Sequence, residues 1–392
     1  MEITQLKVRS VLPVIVLSQF LCTTLWFAGN SVIEDMVREL SLQPQFVAHL
    51  TSAIQFGFIS GTLIYALLSL ADRCSPSVVF LISTILAAVF NALITWPGIQ
   101  PSGILLIRFL TGFFLAGIYP VGMKIASDHF QQGLGKSLGF LVGALVLGTA
   151  FPHLLKGALS GVPWRYIFFV TSMLALCGGT LLFFLVPDGP YRKRAQEFRL
   201  GALTEGFQHP EFRAAAFGYF GHMWELYSFW TFLPLIIITY NEMHTSSSLN
   251  ASMLSFFIIA SGSVACAYAG WLSQTRNIKK LAAFFLSLSG VCCLLLAVFL
   301  QVNQPLVFII FLFIWGMSVV ADSPLFSTLV AHAAPPASRG TALTIVNCIG
   351  FSITILSIQL LGLIMHQIPA KYAFAVLFLG PAFGVAKIYR RK

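Results

Sequence analysis

Charge is what this sequence has least of. Asp, Glu, Lys and Arg make up only 9% of its 392 residues, against about 25% in soluble domains. With 57% hydrophobic residues and a mean hydropathy of +0.86, the shortage excludes a water-soluble globular fold. Catalytic and metal-binding signatures are missing too. There is no Gly-rich phosphate loop, nucleophile elbow or metal-binding helix motif, so neither an enzyme nor an ATP-driven pump is expected. No C-x-x-C pair or metal-ligand spacing occurs, and no cofactor is expected. The seven cysteines, Cys22, Cys74, Cys177, Cys266, Cys292, Cys293 and Cys348, fall in apolar stretches or on one side of them, which excludes an external disulfide framework. Short alternating strands of the barrel type are absent.

What remains is apolar length. Twelve stretches are long enough to cross a bilayer, which takes roughly 20 apolar residues. They lie at about 11–33, 46–70, 77–96, 103–125, 137–158, 165–186, 214–240, 250–272, 281–301, 305–330, 342–365 and 372–387. Each must satisfy its backbone internally, so each reads as a helix. The first follows Lys7 and Arg9 as a signal peptide would. Its run is too long for one, and eleven more follow, so it counts as the first span. The expected fold is an all-α polytopic membrane protein.

The net charge of +10 reports topology rather than nucleic acid. With the N-terminus inside, the outer side holds only Arg38, Lys156, Arg165 and Lys371, Arg108 lies within a span, and the remaining 18 of 23 basic residues fall inside. Both termini are therefore expected in the cytoplasm, and a bacterial inner membrane is the expected location. The longest loop, 186–213, is charged and punctuated by Pro and Gly. It divides the chain into a six-helix half at 1–187, a cytoplasmic linker at 188–212 and a second half at 213–392. The halves repeat. At an offset of 204, Trp26 meets Trp230, Gly112 meets Gly316 and Pro120 meets Pro324, and "WRYIFFV" from 164 meets "AKYAFAV" from 370 at 206. Parallel six-helix repeats leave this kind of trace.

These residues resemble the major facilitator superfamily over essentially the whole chain. That family's loop between helices 2 and 3 appears as "LSLADRCSPS", which keeps Asp72 and Arg73 but has Leu68 for its Gly and Ser75–Ser77 for its Gly and basics. The matching loop of the second half, "GWLSQTRNIKK", keeps Gly270 and its basics but has Gln274 for the Asp. Arg108 and Gly112 in "RFLTG" match the helix 4 pattern. The Gly-Pro-x-x-Gly-Gly element of the family's exchangers is not met by "GKSLGFLVGALVLG", which lacks the Pro, so exchange is not implied. The resemblance implies twelve helices in two pseudo-symmetric halves, alternating access, and a conformational latch at Asp72, Arg73 and Gly270.

The charges inside the spans are the candidates for function. Glu225 sits in the aromatic run "GHMWELYSFWTFLP", Asp322 in "VVADSPLF", and Arg108 in the fourth span. Charged residues at bilayer depth are costly and usually face a cavity. Their repeat positions are Leu21, Ile118 and Leu312, so the fold tolerates apolar residues there. The structural alternatives are that Arg108 pairs with a carboxylate as a buried strut, and that Asp322 bonds backbone freed by Pro324. His222, three residues before Glu225, is either its proton partner or a polar cavity wall. Gln55, Tyr119, Tyr227, Trp230 and Asn347 are further cavity candidates, and Lys124 is expected to snorkel to the headgroups. The expected function is secondary transport of a small polar or amphiphilic solute by a monomer, coupled to protons or another ion. Efflux of amphiphiles and a non-transporting receptor are the alternatives.

Overall fold

In lipid a backbone without water must bond to itself, and the computed structural model of the chain is correspondingly helical, with no strand among the described residues. The structure describes residues 2–43, 45–130, 134–159, 161–192, 201–245, 247–334 and 339–389. Among the described residues, ten helices are long and apolar enough to cross a membrane, and Val11–Thr23 is a shorter apolar one. A further helix, Pro210–Met243, runs for 34 residues. Together they make the twelve spans of an all-α polytopic membrane protein. Phe184, Leu306, Trp96 and Val264 stand at least 66% exposed, as lipid-facing side chains do.

Contacts divide the chain into two compact units, Met1–Gln43 with Ala53–Phe198, and Pro44–Ser52 with Arg199–Lys392. The first contains α1 (Glu2–Thr23), α2 (Ala28–Ser31), α3 (Ile33–Glu39), most of α4 (Phe46–Leu67), α5 (Leu70–Arg73), α6 (Pro76–Leu93), α7 (Pro101–Leu115), α8 (Tyr119–His129), α9 (Leu134–Ala158) and α10 (Arg165–Leu185). The second contains α11 (Gly201–Gln208), α12 (Pro210–Met243), α13 (Ala251–Leu272), α14 (Ile278–Phe299), α15 (Pro305–Ala321), α16 (Ser323–Ala333), α17 (Arg339–Ile364), α18 (Ala370–Ala373), a 3-10 segment (Phe374–Phe378) and α19 (Leu379–Tyr389). The first turns of α4 belong to the second unit, where Gln359 Nε2 donates to Ser52 Oγ at 2.7 Å.

Four spans expected as single helices are broken, one of them, 372–387, by the 3-10 segment Phe374–Phe378. The stretch 103–125 divides into α7 and α8, and 305–330 into α15 and α16. In both, a proline takes the second position of the later segment: Pro120 in α8 and Pro324 in α16. Proline has no N–H to donate and its ring crowds the carbonyl four residues back. For Pro324 that carbonyl belongs to Val320, and Cys266 Sγ donates to it at 3.2 Å. The fourth break ends α1 at Thr23, and the chain turns through 24–27 before α2. Close packing in the first unit needs glycine at Gly112: a methyl there would meet Ile54 O at 2.0 Å.

Candidate functional site

The middle of α12 is buried on nearly every side, with Gly221, His222, Glu225, Ser228 and Trp230 all inside the second unit. Glu225 is the sixteenth of its 34 residues, about 22 Å from the helix start at 1.5 Å per residue. Its carboxylate is fully buried. Ser289 Oγ donates to Oε2 at 2.8 Å, Trp315 Nε1 donates to Oε1 at 2.6 Å, and Cys293 Sγ donates to Oε1 at 3.3 Å. These donors come from α14 and α15. The expectation of a cavity-facing Glu225 is corrected here: the carboxylate points into the helix bundle of its own unit. Three donors offset part of the cost of removing it from water.

His222 does not partner Glu225. Its Nδ1 lies 2.8 Å from Asp322 Oδ1, with both side chains buried, and Phe326 and Tyr219 rings pack beside the imidazole. Asp322 stands at the junction of α15 and α16 without capping α16 through its side chain, so it does not bond the backbone that Pro324 frees. Cys266 fills that role. The second unit thus holds two buried polar centres on α12, three residues apart and turned toward different helices.

Arg108 is fully buried in the first unit, and none of its partners is a carboxylate. NH1 donates to Leu25 O and to Asn91 Oδ1, each at 3.1 Å, and NH2 donates to Trp26 O. Leu25 and Trp26 lie in the turn where α1 ends, whose last carbonyls have no helical donor. The guanidinium therefore closes a helix break. Asn91 is itself anchored on α10, donating to Phe168 O, Thr171 Oγ1 and Ser172 Oγ.

Among the remaining candidates, Gln55 is fully buried, and neither its amide nor that of Gln19 has a hydrogen-bond partner among the described residues. Tyr227 and Trp230 pack edge to face at 5.3 Å, and Phe351 lies 5.3 Å from the Tyr227 ring. Tyr119 opens α8 and Asn347 is half-buried on α17. At the latch, Asp72 pairs with Lys124 at 2.9 Å, and Lys124 reaches Asp128 at 3.2 Å. Lys124 is tied to carboxylates instead of snorkelling. Arg73 is exposed with no ion pair among the described residues, and Gly270 has open space where a side chain would go. Sequence reasoning missed Ser289, Cys293 and Trp315. Ser289 and Cys293 are four apart, on one helix face, which was a usable signal; Trp315 lay in a uniformly apolar stretch and gave none.

Residues 15–358 match the family model described as Major Facilitator Superfamily. The chain belongs to that superfamily. Its fold and family are those of membrane transporters. It is similar to the crystal structure of a bacterial homolog to the human lysosomal transporter Spinster in an inward-facing, unoccupied conformation, with a TM-score of 0.74, 14% identity, and 97% of this chain and 94% of that one covered. The inward-facing, occupied form of that homolog gives the same TM-score and identity over 97% and 96%. At that identity the likeness shows the fold alone. A stretch of 175 residues is 22% identical to a bicyclomycin resistance protein homolog of Haemophilus influenzae, covering 44% of this chain and 43% of that protein. The match thus spans less than half the length of that curated relative.

Proposed function

We propose that the protein is a proton-coupled secondary transporter of a small polar or amphiphilic organic solute, working by alternating access between residues 1–187 and 213–392 as a monomer of a bacterial cytoplasmic membrane. The observation that carries the coupling is the setting of Glu225. It is a fully buried carboxylate at the middle of α12, held by side-chain donors from two other helices. A carboxylate so placed changes its surroundings whenever those helices move, so its proton occupancy is tied to conformation. The His222–Asp322 pair is a second group of the same kind. Gln55, with an unpartnered amide, is the first unit's candidate to bind the solute, alongside Tyr119; Tyr227, Trp230 and Asn347 are the second unit's.

The test is Glu225→Gln, which keeps shape and one acceptor while removing titration. It should abolish accumulation driven by an imposed pH gradient yet leave counterflow of the same solute in proteoliposomes. Wild-type accumulation by the variant would reduce Glu225 to a strut and pass the coupling role to Asp322. The likeness to a bicyclomycin resistance homolog favours a second reading, export of amphiphiles across an aromatic wall. Inside-out and right-side-out vesicles separate the two by the direction of net flux.

A further inference from the structure

In the first unit the corner between the start of α6 and the end of α8 is filled by the chain that follows α10. Ser75 Oγ donates to Asp188 Oδ1 at 2.6 Å, Ser77 Oγ donates to Val186 O at 2.9 Å, and Tyr191 N donates to Asp128 O at 3.0 Å. Arg192 pairs with Asp188 at 2.7 Å and also donates to Asp72 O and Cys74 O. Gly189 presses so closely that a methyl there would meet Asp128 O at 2.3 Å. The corner therefore accepts an acid and a base presented together.

The corresponding corner of the second unit lies between the start of α14 and the end of α16. α8 and α16 are each 11 residues long, and the prolines in their first turns are 204 apart. Here there is a pocket of about 280 Å³, lined by Glu211 of α12, Lys279 of α14 and His332 of α16, with Ala215, Leu329 and Ile388 among its apolar residues. None of Glu211, Lys279 and His332 forms an ion pair among the described residues. Lys279 is in the first turn of α14, so the ammonium and the helix's partial positive charge favour an anion at the same place. Glu211 supplies the opposite preference. Glu211 also lies 14 residues before Glu225 along α12, about 21 Å away at 1.5 Å per residue, so this pocket is separate from the proposed coupling site.

We propose that this pocket binds a small zwitterion, its anionic group on Lys279 and its primary ammonium on Glu211. His332 adds a hydrogen bond, and the connecting methylenes lie on the apolar floor. The volume is just below the roughly 300–1,000 Å³ of ligand pockets, which suits a headgroup-sized molecule. The charge asymmetry of the sequence puts this end of the unit at the cytoplasmic interface. The ammonium-and-phosphate chemistry is shared by an aminophospholipid headgroup and by soluble phosphoethanolamine.

The purified full chain in phosphatidylcholine nanodiscs tests this, with phosphatidylethanolamine added in one arm and O-phosphoethanolamine in another. Thermal stabilisation measures binding in both. Phosphatidylcholine is the control, because its quaternary nitrogen has no hydrogen to donate to Glu211. Stabilisation by the lipid alone identifies the headgroup as ligand, and stabilisation by the soluble compound alone identifies a cytoplasmic ligand. Stabilisation by both, each competing with the other, gives the shared site. Glu211→Gln and Lys279→Gln should each weaken apparent affinity about tenfold, the loss of one charge-assisted hydrogen bond. No stabilisation over the control in either arm, or binding unchanged in both variants, would overturn the proposal.

Discussion

Replacing Arg108 by Leu, the residue found at the repeat position 312, separates a helix-closing role from a solute-binding one. The substitution strips donors from three buried acceptors, Leu25 O, Trp26 O and Asn91 Oδ1. Buried groups left unpaired cost about 1–3 kcal/mol each, or roughly 3–9 in all. Removing a guanidinium from membrane depth returns about 2.5–3.5 kcal/mol on insertion scales. The acceptors win: the net effect is destabilising by about 3 kcal/mol. In a cooperative unit of some 190 residues that lowers the melting temperature by about 6–12 °C. Amide exchange should rise in residues 24–28, where the chain turns between α1 and α2, before it rises elsewhere. Arg108→Lys, with three donors on one nitrogen and no planar fork, should fall between wild type and Leu. If Arg108→Leu melts like wild type while losing solute binding, the guanidinium is a binding group and the strut argument fails.

Other expectations follow from the same geometry. Asp72→Asn breaks the pair with Lys124 and should change the interconversion rate more than solute affinity, measured by distance labels across the two halves alongside binding; lost affinity with unchanged interconversion would refute the latch. Gly112→Ala sets a methyl 2.0 Å from Ile54 O, and overpacking of this kind should cost about 1–3 kcal/mol in a thermal melt. Beside α3 in the first unit, hydrogen bonds from Arg165 and then Trp164 hold the Glu39 carboxyl below its ordinary pKa. Because the folded pKa is depressed, its stabilisation is present above the unfolded value and lost as pH falls through the folded one. Wild type should therefore melt above Glu39→Gln near pH 7 and converge with it as pH falls below the folded pKa; a gap that persists in acid would refute the ion-pair origin.

Fold class and span count were legible because apolar length is a local property that bilayer thickness converts directly into helices. The breaks at Pro120 and Pro324 were legible in principle, since each proline names the carbonyl it strands, but an apolar run continues through both and hides them. The partners of buried charges were not legible. Nothing local in α12 says that Glu225 turns toward Ser289 and Trp315, which are 64 and 90 residues away, or that His222 turns toward Asp322. Arg108 was harder still, because two of its acceptors are backbone carbonyls exposed only once α1 stops at Thr23, and carbonyls leave no mark in a sequence.

The two units hold their buried charges in different ways. In the first, α1 unwinds near Trp26, and a cation at position 108 closes the freed carbonyls. In the second, α12 continues through the matching Trp230, where Pro234 withdraws one helical donor without ending the helix, and position 312 is Leu. The charges of the second unit are instead Glu225 and Asp322, held by side chains on α12, α14 and α15. That difference bears on the proposed mechanism. Arg108 is fixed largely to backbone, which cannot re-pair without remaking a helix end. The partners of Glu225 are hydroxyl, thiol and indole groups, which turn on their own side-chain torsions and release a proton acceptor without disturbing any backbone bond. The first unit's buried charge is thus bound mostly to backbone, and the second unit's to side chains, which is the arrangement the proposed coupling role for Glu225 requires.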